Sequence, residues 1–265
     1  MRFLFLIVLL VCSSASSTIP VEKYYITFIK GKAVLATTQH LLKVGDVLTA
    51  EDKILFDSKS SKISCINAAK GRFDLQPLSS KSGNEQELYA ILKSGLIPTA
   101  SSYSLSTRSI VFEGNDPVLY FAAPETQGRV LILEREPFLV KATYKMDDSN
   151  FFFIQFEENG GKTTKRISQK GRYLIFSKDT FSTNKGAPAA MVSLCYQSLE
   201  NGQVQSTILV DFHPILTTSQ EIRLEVGVIR KISGAKDSKH LKSAIINHIF
   251  ENYGKIGAEE LSLFL

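Results

Sequence analysis

The sequence predicts a mainly β protein: a small N-terminal all-β module, a short helix and linker, a C-terminal β-sandwich, and a helix at the end of the chain. Three observations carry this. Short runs of β-branched and aromatic residues recur along the chain, separated by turn residues. Helical spacing of apolar residues occurs convincingly in two places only. With Trp absent, 17 Phe and 9 Tyr supply the large side chains that a sheet core needs.

The first residues stand apart from this pattern. Met1-Arg2 precedes an apolar run from Phe3 to Val11, and Cys12-Ser13-Ser14-Ala15-Ser16-Ser17 follows with small side chains, the outline of a secretory signal. The run is too short to cross a bilayer as a helix, which takes about 18 apolar residues or more. Residues 1–17 are therefore expected to be cleaved after Ala15 or Ser17, giving an exported protein, periplasmic or extracellular, with no transmembrane segment in the mature chain. Cys12 offers a lipoprotein alternative, against which the bulky Val11 before it argues. The net charge is +5, with acids and bases mixed along the chain. No basic block suited to tracking phosphates results, so nucleic acid is not an expected partner.

From Tyr24 to Leu78 strands alternate with turns. Tyr25–Ile29 is followed by a turn at Lys30-Gly31-Lys32, Gly45-Asp46 marks another, and Ile63-Ser64-Cys65 alternates so that Ile63 and Cys65 share a face opposite Ile66. Residues 18–80 read as one small β module. Within it Gly31, Val34, Leu42, Gly45, Asp46, Leu48, Asp52, Ile54, Gly71, Leu75 and Pro77 follow the order of turn and strand residues in FecR-like domains, and the segment resembles that family of bacterial cell-envelope modules. The loop at Phe56-Asp57-Ser58 departs from the family's pattern. The resemblance implies an envelope sensing, binding or scaffold role rather than an enzyme. No membrane-spanning helix of the kind a transmembrane sensor needs is present, which argues against signalling to a cytoplasmic sigma factor.

Glu85–Ser94 places Leu88, Ile91 and Leu92 at helical spacing with Gly95 at the stop, predicting a short helix. Pro98–Ser104 reads as a linker, so residues 81–107 separate the module from the sandwich expected over 108–235. Strands are expected at Ile110–Phe112, Pro117–Phe121, Arg129–Leu133, Phe138–Tyr144, Phe151–Phe156, Tyr173–Phe176, Met191–Tyr196, Ser206–Phe212 and Glu221–Val226. The clearest hairpin turns through Asn201-Gly202. Over 236–265, Asp237 or Ser238 caps a helix whose Leu241, Ile245, Ile249 and Tyr253 form an apolar stripe. The terminus Leu261–Leu265 is apolar and must be buried, lie against a membrane or be held by a partner.

Chemistry-bearing motifs are sparse. Among the four histidines His40, His213, His240 and His248, the last two lie eight residues apart and cannot share an ion as an i, i+4 pair would. Asp211 and His213 share a strand face but lack an adjacent nucleophile. Gly160-Gly161-Lys162-Thr163 is a hairpin turn rather than a P-loop, and the acid pairs Asp147-Asp148 and Glu157-Glu158 suit solvation better than calcium. No cofactor is expected. Cys65 and Cys195 read as buried thiols, with a disulfide as the alternative. Phe152 and Ile154 belong to a strand buried on both sides or to an apolar binding face. Lys165 and Arg166, in the basic run that reaches Arg172, belong to a solvated hairpin or to a contact with an anionic glycan or lipid headgroup. Leu263 and Phe264 are the tail's candidate partner contacts. The expected role is an exported, non-catalytic binding or scaffold protein whose partner is an envelope protein or glycan. Its alternatives are an envelope-polymer hydrolase near His213 and Asp211, or a subunit of a secretion or surface assembly.

Overall fold

The computed structural model describes residues 21–77, 89–92, 96–98, 111–233 and 238–265. The expected signal segment lies outside them, as do residues 85–88 and 93–94 of the expected helix and 99–104 of the expected linker.

The chain is mainly β, and its long helices lie near its C-terminus. Among the described residues nine strands build the N-terminal module: β1 (Lys23–Lys30), β2 (Ala33–Leu35), β3 (His40–Leu41), β4 (Val47–Thr49), β5 (Lys53–Phe56), β6 (Lys62–Asn67), β7 (Gly71–Leu75), β8 (Tyr89–Ile91) and β9 (Leu96–Pro98). They form two antiparallel sheets, ordered β4-β1-β6-β7-β9 and β3-β2-β5-β8, around Tyr24, Ile26, Leu48, Ile54, Ile63, Cys65 and Leu75. Ile63 and Cys65 point into that core, as their alternation requires.

Here the structure corrects the expectation at residues 89–91 and 96–98. Tyr89–Ile91 is a strand paired with β5, and Leu96–Pro98 is a strand paired with β7. The apolar spacing around Ile91 suits a helix locally, but two open strand edges nearby offer ladder bonds that override it. The module therefore reaches past residue 80.

The second unit contains β10 (Val111–Phe112), β11 (Arg129–Leu133), β12 (Pro137–Leu139), β13 (Phe151–Glu158), β14 (Gly161–Arg166), β15 (Ser168–Lys170), β16 (Tyr173–Ile175), β17 (Val192–Glu200), β18 (Gln203–Thr217) and β19 (Ile256–Gly257). Its helices are α1 (Pro117–Phe121), α2 (Lys178–Phe181), α3 (Ser219–Ser233), α4 (Ser238–Tyr253) and α5 (Ala258–Ser262). A five-stranded sheet runs β11-β18-β17-β13-β14, with β11 parallel to β18 and the other neighbours antiparallel. A three-stranded sheet, β12-β16-β15, contributes Phe138 and Leu174 to the same core as Phe152, Ile154 and Phe212 of the larger sheet, together with Phe121 from α1 and Phe181 from α2. Asn201 and Gly202 turn the β17–β18 hairpin with φ of 50° and 80°, the left-handed pair that a two-residue loop demands.

Two segments expected as strands are helices. Pro117–Phe121 starts behind Asp116, whose carboxylate accepts from Val118 N at 3.0 Å, and proline at the first helical position is pre-set for that geometry. Glu221–Val226 lies inside α3. Thr218 and Glu221 exchange bonds there, Glu221 N donating to Thr218 Oγ1 at 3.2 Å and Thr218 N to Glu221 Oε2 at 3.0 Å, a capping box. The alternation of Ile222, Leu224 and Val226 imitates a strand, but Ile222, Glu225, Val226 and Ile229 are the residues buried, at helical spacing.

Helices α3, α4 and α5 form a layer between the two β units. On β11, Val130 and Ile132 face the phenylalanine core, whereas Leu131 and Leu133 face Ile222, Val226, Ile245, Ile249 and Tyr253 of the helices. On the module side, β1 bulges between Ile26 and Phe28. The extra residue, Thr27, reverses the alternation, so Tyr24 and Ile26 enter the module core while Phe28 turns out to meet Tyr253 edge-on at 5.4 Å. The tail closes this layer. Leu261 and Phe264 are buried in it, Arg230 holds the Phe264 and Leu265 carbonyls at 2.8 and 2.7 Å, and Leu263 stays exposed.

Candidate functional site

A cleft of about 720 Å³ opens where the module meets the helical layer. Strands β1 and β6 with the loop between β5 and β6 form one wall, contributing Phe28, Lys30, Lys59, Ser60 and Lys62; β18, α3 and α4 form the other, contributing Ile215, Glu221, Leu224, Glu251 and Tyr253. The bulge at Thr27 thus places Phe28 in the lining of the cleft as well as at the joint between the units.

A polar network underlies this cleft and ties the two units together. Tyr253 donates its hydroxyl to Glu225 Oε1 at 2.6 Å, and His248 Nε2 lies 2.7 Å from Glu225 Oε2, with all three side chains buried. Asn252 Nδ2 donates to the His248 carbonyl at 3.1 Å and faces His248 Nδ1 at 3.2 Å. That amide therefore assigns Nδ1 as the acceptor and leaves the ring proton on Nε2, pointing at Glu225. From the module, Ser64 Oγ stands 3.2 Å from Asn252 Oδ1 and donates to Asp74 Oδ1 at 2.6 Å, while Lys62 Nζ reaches Asp74 Oδ2 at 3.2 Å. Beside them Arg72 Nη2 lies 2.8 Å from Glu251 Oε2, a close ion contact without hydrogen-bond alignment.

Burial sets the electrostatics. It pushes Glu225 up to about 8 against the opposing Tyr253 hydrogen bond, and it holds His248 well below the usual imidazole range, helped by the nearby Arg72 and Lys62 charges. Glu251 is raised by burial and only partly restored by Arg72. Glu221 moves the other way, held low by the Thr217 hydroxyl and the Thr218 N–H. Both Glu225 oxygens are occupied by internal groups, so the network's evident work is to fix α3 and α4 against the module. Lys30 and Lys59, by contrast, make no ion pair among the described residues and present their charge at the module rim.

The residues singled out from sequence lie elsewhere. Phe152 and Ile154 are fully buried in the phenylalanine core, which rules out the apolar binding face. Lys165 donates to the Asp179 and Ser182 carbonyls at 2.6 and 2.5 Å, and Arg166 stacks on the Phe151 ring at 4.1 Å, so both are tied to their own domain. Phe264 is buried and Leu263 is the more exposed of the tail pair. His213 Nδ1 contacts the Ala190 carbonyl at 2.6 Å, while Asp211 accepts from Ser193 Oγ at 2.6 Å without a histidine between them. That arrangement does not assemble the nucleophile, base and orienting acid that a hydrolytic site there requires. Cys65 and Cys195 are free, buried thiols in separate β units. Among the described residues no group of three or more His, Cys, Asp or Glu is placed to hold a metal ion, and no helix is long and apolar enough to cross a membrane.

Sequence reading missed Glu225, and it named His248 only to set aside an ion shared with His240, without reaching its contact with Asn252. A signal was present for His248 and Asn252, four residues apart beside the apolar stripe of α4; Glu225 was hidden by the strand-like alternation around it. No family model, curated protein or solved structure matches the chain.

Proposed function

We propose that this protein is an exported, non-catalytic binding protein of a bacterial cell envelope, and that its ligand is an acidic envelope glycan held in the cleft between the N-terminal module and the helical layer. The observation that carries the reading is the cleft's division of labour. Its carboxylates are engaged internally or capped, while Lys30 and Lys59 remain available to an anionic group. Around them Phe28 and Leu224 offer apolar surface for sugar rings, and Ser60 and Gln76 offer hydrogen bonds. Export rests on the signal-like first 17 residues, and the envelope setting on the resemblance of residues 31–77 to FecR-like domains.

The test is calorimetric titration of the protein, purified after expression of the full chain, with fragments of acidic and neutral envelope polysaccharides. Acidic fragments are expected to bind, and the double variant K30E/K59E to weaken them by about tenfold or more, equivalent to at least 1.4 kcal/mol. Equal binding of neutral fragments, or an unaffected double variant, defeats the proposal.

A further inference from the structure

The β17–β18 hairpin extends beyond the sheet that roots it. Strand β18 pairs with β11 only over His213–Thr217, whereas its pairing with β17 continues out to Gln203. Among the described residues, the side of Gln203–Asp211 turned away from β17 has no strand beside it, and every residue from Gln203 to Ile208 is exposed. Strand edges of this kind are normally protected by charge, proline or a covering element, because their unpaired N–H and C=O groups template another strand. Here Val204-Gln205-Ser206-Thr207-Ile208-Leu209-Val210 carries neither charge nor proline and is rich in β-branched residues.

The hairpin fixes which groups face outward. A two-residue loop closes on a hydrogen-bonded pair, here Glu200 with Gln203, so Gln203, Gln205 and Thr207 bond to β17. Val204, Ser206 and Ile208 therefore direct their N–H and C=O to the free edge. Their side chains share one sheet face, and Val204 and Ile208 are among the most exposed large apolar residues, at 64% and 56%. We propose that this edge is a dimerisation surface, on which a second copy of the chain adds its own β18 antiparallel about a two-fold axis at Ser206.

That register is self-complementary. Ser206 meets Ser206 of the second copy, and Val204 and Ile208 each meet the other residue across the axis, covering both exposed apolar side chains without opposing any charge. Two isologous edges then join the five-stranded sheets into one continuous sheet. The contact buries less than the roughly 1,200 Å² of a standard interface, so association in the micromolar range is expected.

Sedimentation equilibrium on the protein, purified after expression of the full chain, tests this directly. The mass should rise from monomer to dimer between about 1 and 100 μM. S206P removes an outward N–H that β17 does not use and should weaken association at least about tenfold while leaving the circular dichroism spectrum unchanged. Should S206P disturb folding, V204K/I208K places charge on two exposed positions and should give a monomer. S206C should oxidise to one covalent dimer, because hydrogen-bonded antiparallel partners sit about 5.5 Å apart at Cα, whereas Q205C should not. A monomer up to about 1 mM, or a dimer indifferent to both edge variants, overturns the proposal.

Discussion

Two interiors of this molecule are built on opposite principles. The core between the large and small sheets is apolar and aromatic: Phe121 alone packs against Tyr120, Phe138, Phe176 and Phe212 at centroid distances of 4.5–5.8 Å. The seam between module and helices mixes Phe28, Tyr253 and Ile249 with Glu225, His248, Asn252, Ser64, Asp74 and an Arg72–Glu251 pair. Hydrophobic burial is non-directional and accepts many packings, so the first interior supplies stability. Buried polar groups tolerate only arrangements that satisfy them, so the second fixes how the module sits on the helices, and hence the shape of the cleft.

The largest expected effect lies in the first interior. Phe121→Ala deletes a fully buried ring and should cost about 3–5 kcal/mol in urea unfolding. A cost near 1 kcal/mol would mean the aromatic core collapses around the gap, and the contrast between the two interiors would lose its first term.

The seam responds to a different manipulation. His248→Leu leaves Glu225 Oε2 without its buried partner and should cost about 3 kcal/mol, while E225M/H248L/Y253F, which removes the carboxylate together with both groups that bond to it, should recover at least half of that. If that combined variant is as damaged as His248→Leu, shape rather than polar matching holds the seam. Titration separates the two readings further. Glu225 is raised from 4.5 to about 8, so between those values the folded state binds more protons than the unfolded one and this group makes stability fall as pH rises. His248 is lowered from 6.5, so the unfolded state binds the extra proton below 6.5 and this group makes stability rise with pH there. The two oppose each other below pH 6.5, and only the Glu225 decline remains from about 6.5 to 8. Urea midpoints of E225Q should lack that decline; a wild-type slope in E225Q would assign it to another group.

The same division explains what could be read from sequence. Apolar alternation and turn chemistry reveal the first interior, because burying one face of a strand constrains every second residue: β11, β13 and the Asn201-Gly202 hairpin lie where those patterns place them. The seam obeys no such local rule. Ser64 and Asn252 are 188 residues apart, and nothing near either announces the other. Glu225 sits in a segment whose strand-like alternation conceals a capping box at Thr218 and Glu221, and Tyr89–Ile91 becomes a strand only because β5 offers an edge. Lys30 and Lys59 look like ordinary turn lysines until the bulge at Thr27 brings the module's outer face onto α3 and α4.

The smallest effect tests whether the seam's charges matter because of where they lie. Lys70–Glu22 and Arg72–Glu251 begin two residues apart on the module, at 2.6 and 2.8 Å, yet the first pair is about half exposed and the second is mostly buried across the seam. Lys70→Met should change stability by less than about 0.5 kcal/mol, because solvent screens the pair and two long side chains are released from a fixed geometry. Arg72→Met should cost roughly 2 kcal/mol, because it strands a Glu251 carboxylate that burial already disfavours. Salt distinguishes them again: at about 1 M the Debye length falls to about 3 Å, and any Lys70 effect should vanish while most of the Arg72 effect persists. Equal, salt-sensitive costs at both positions would mean that water reaches the Arg72 pair, and the seam would then be a loose contact rather than the element that sets the cleft.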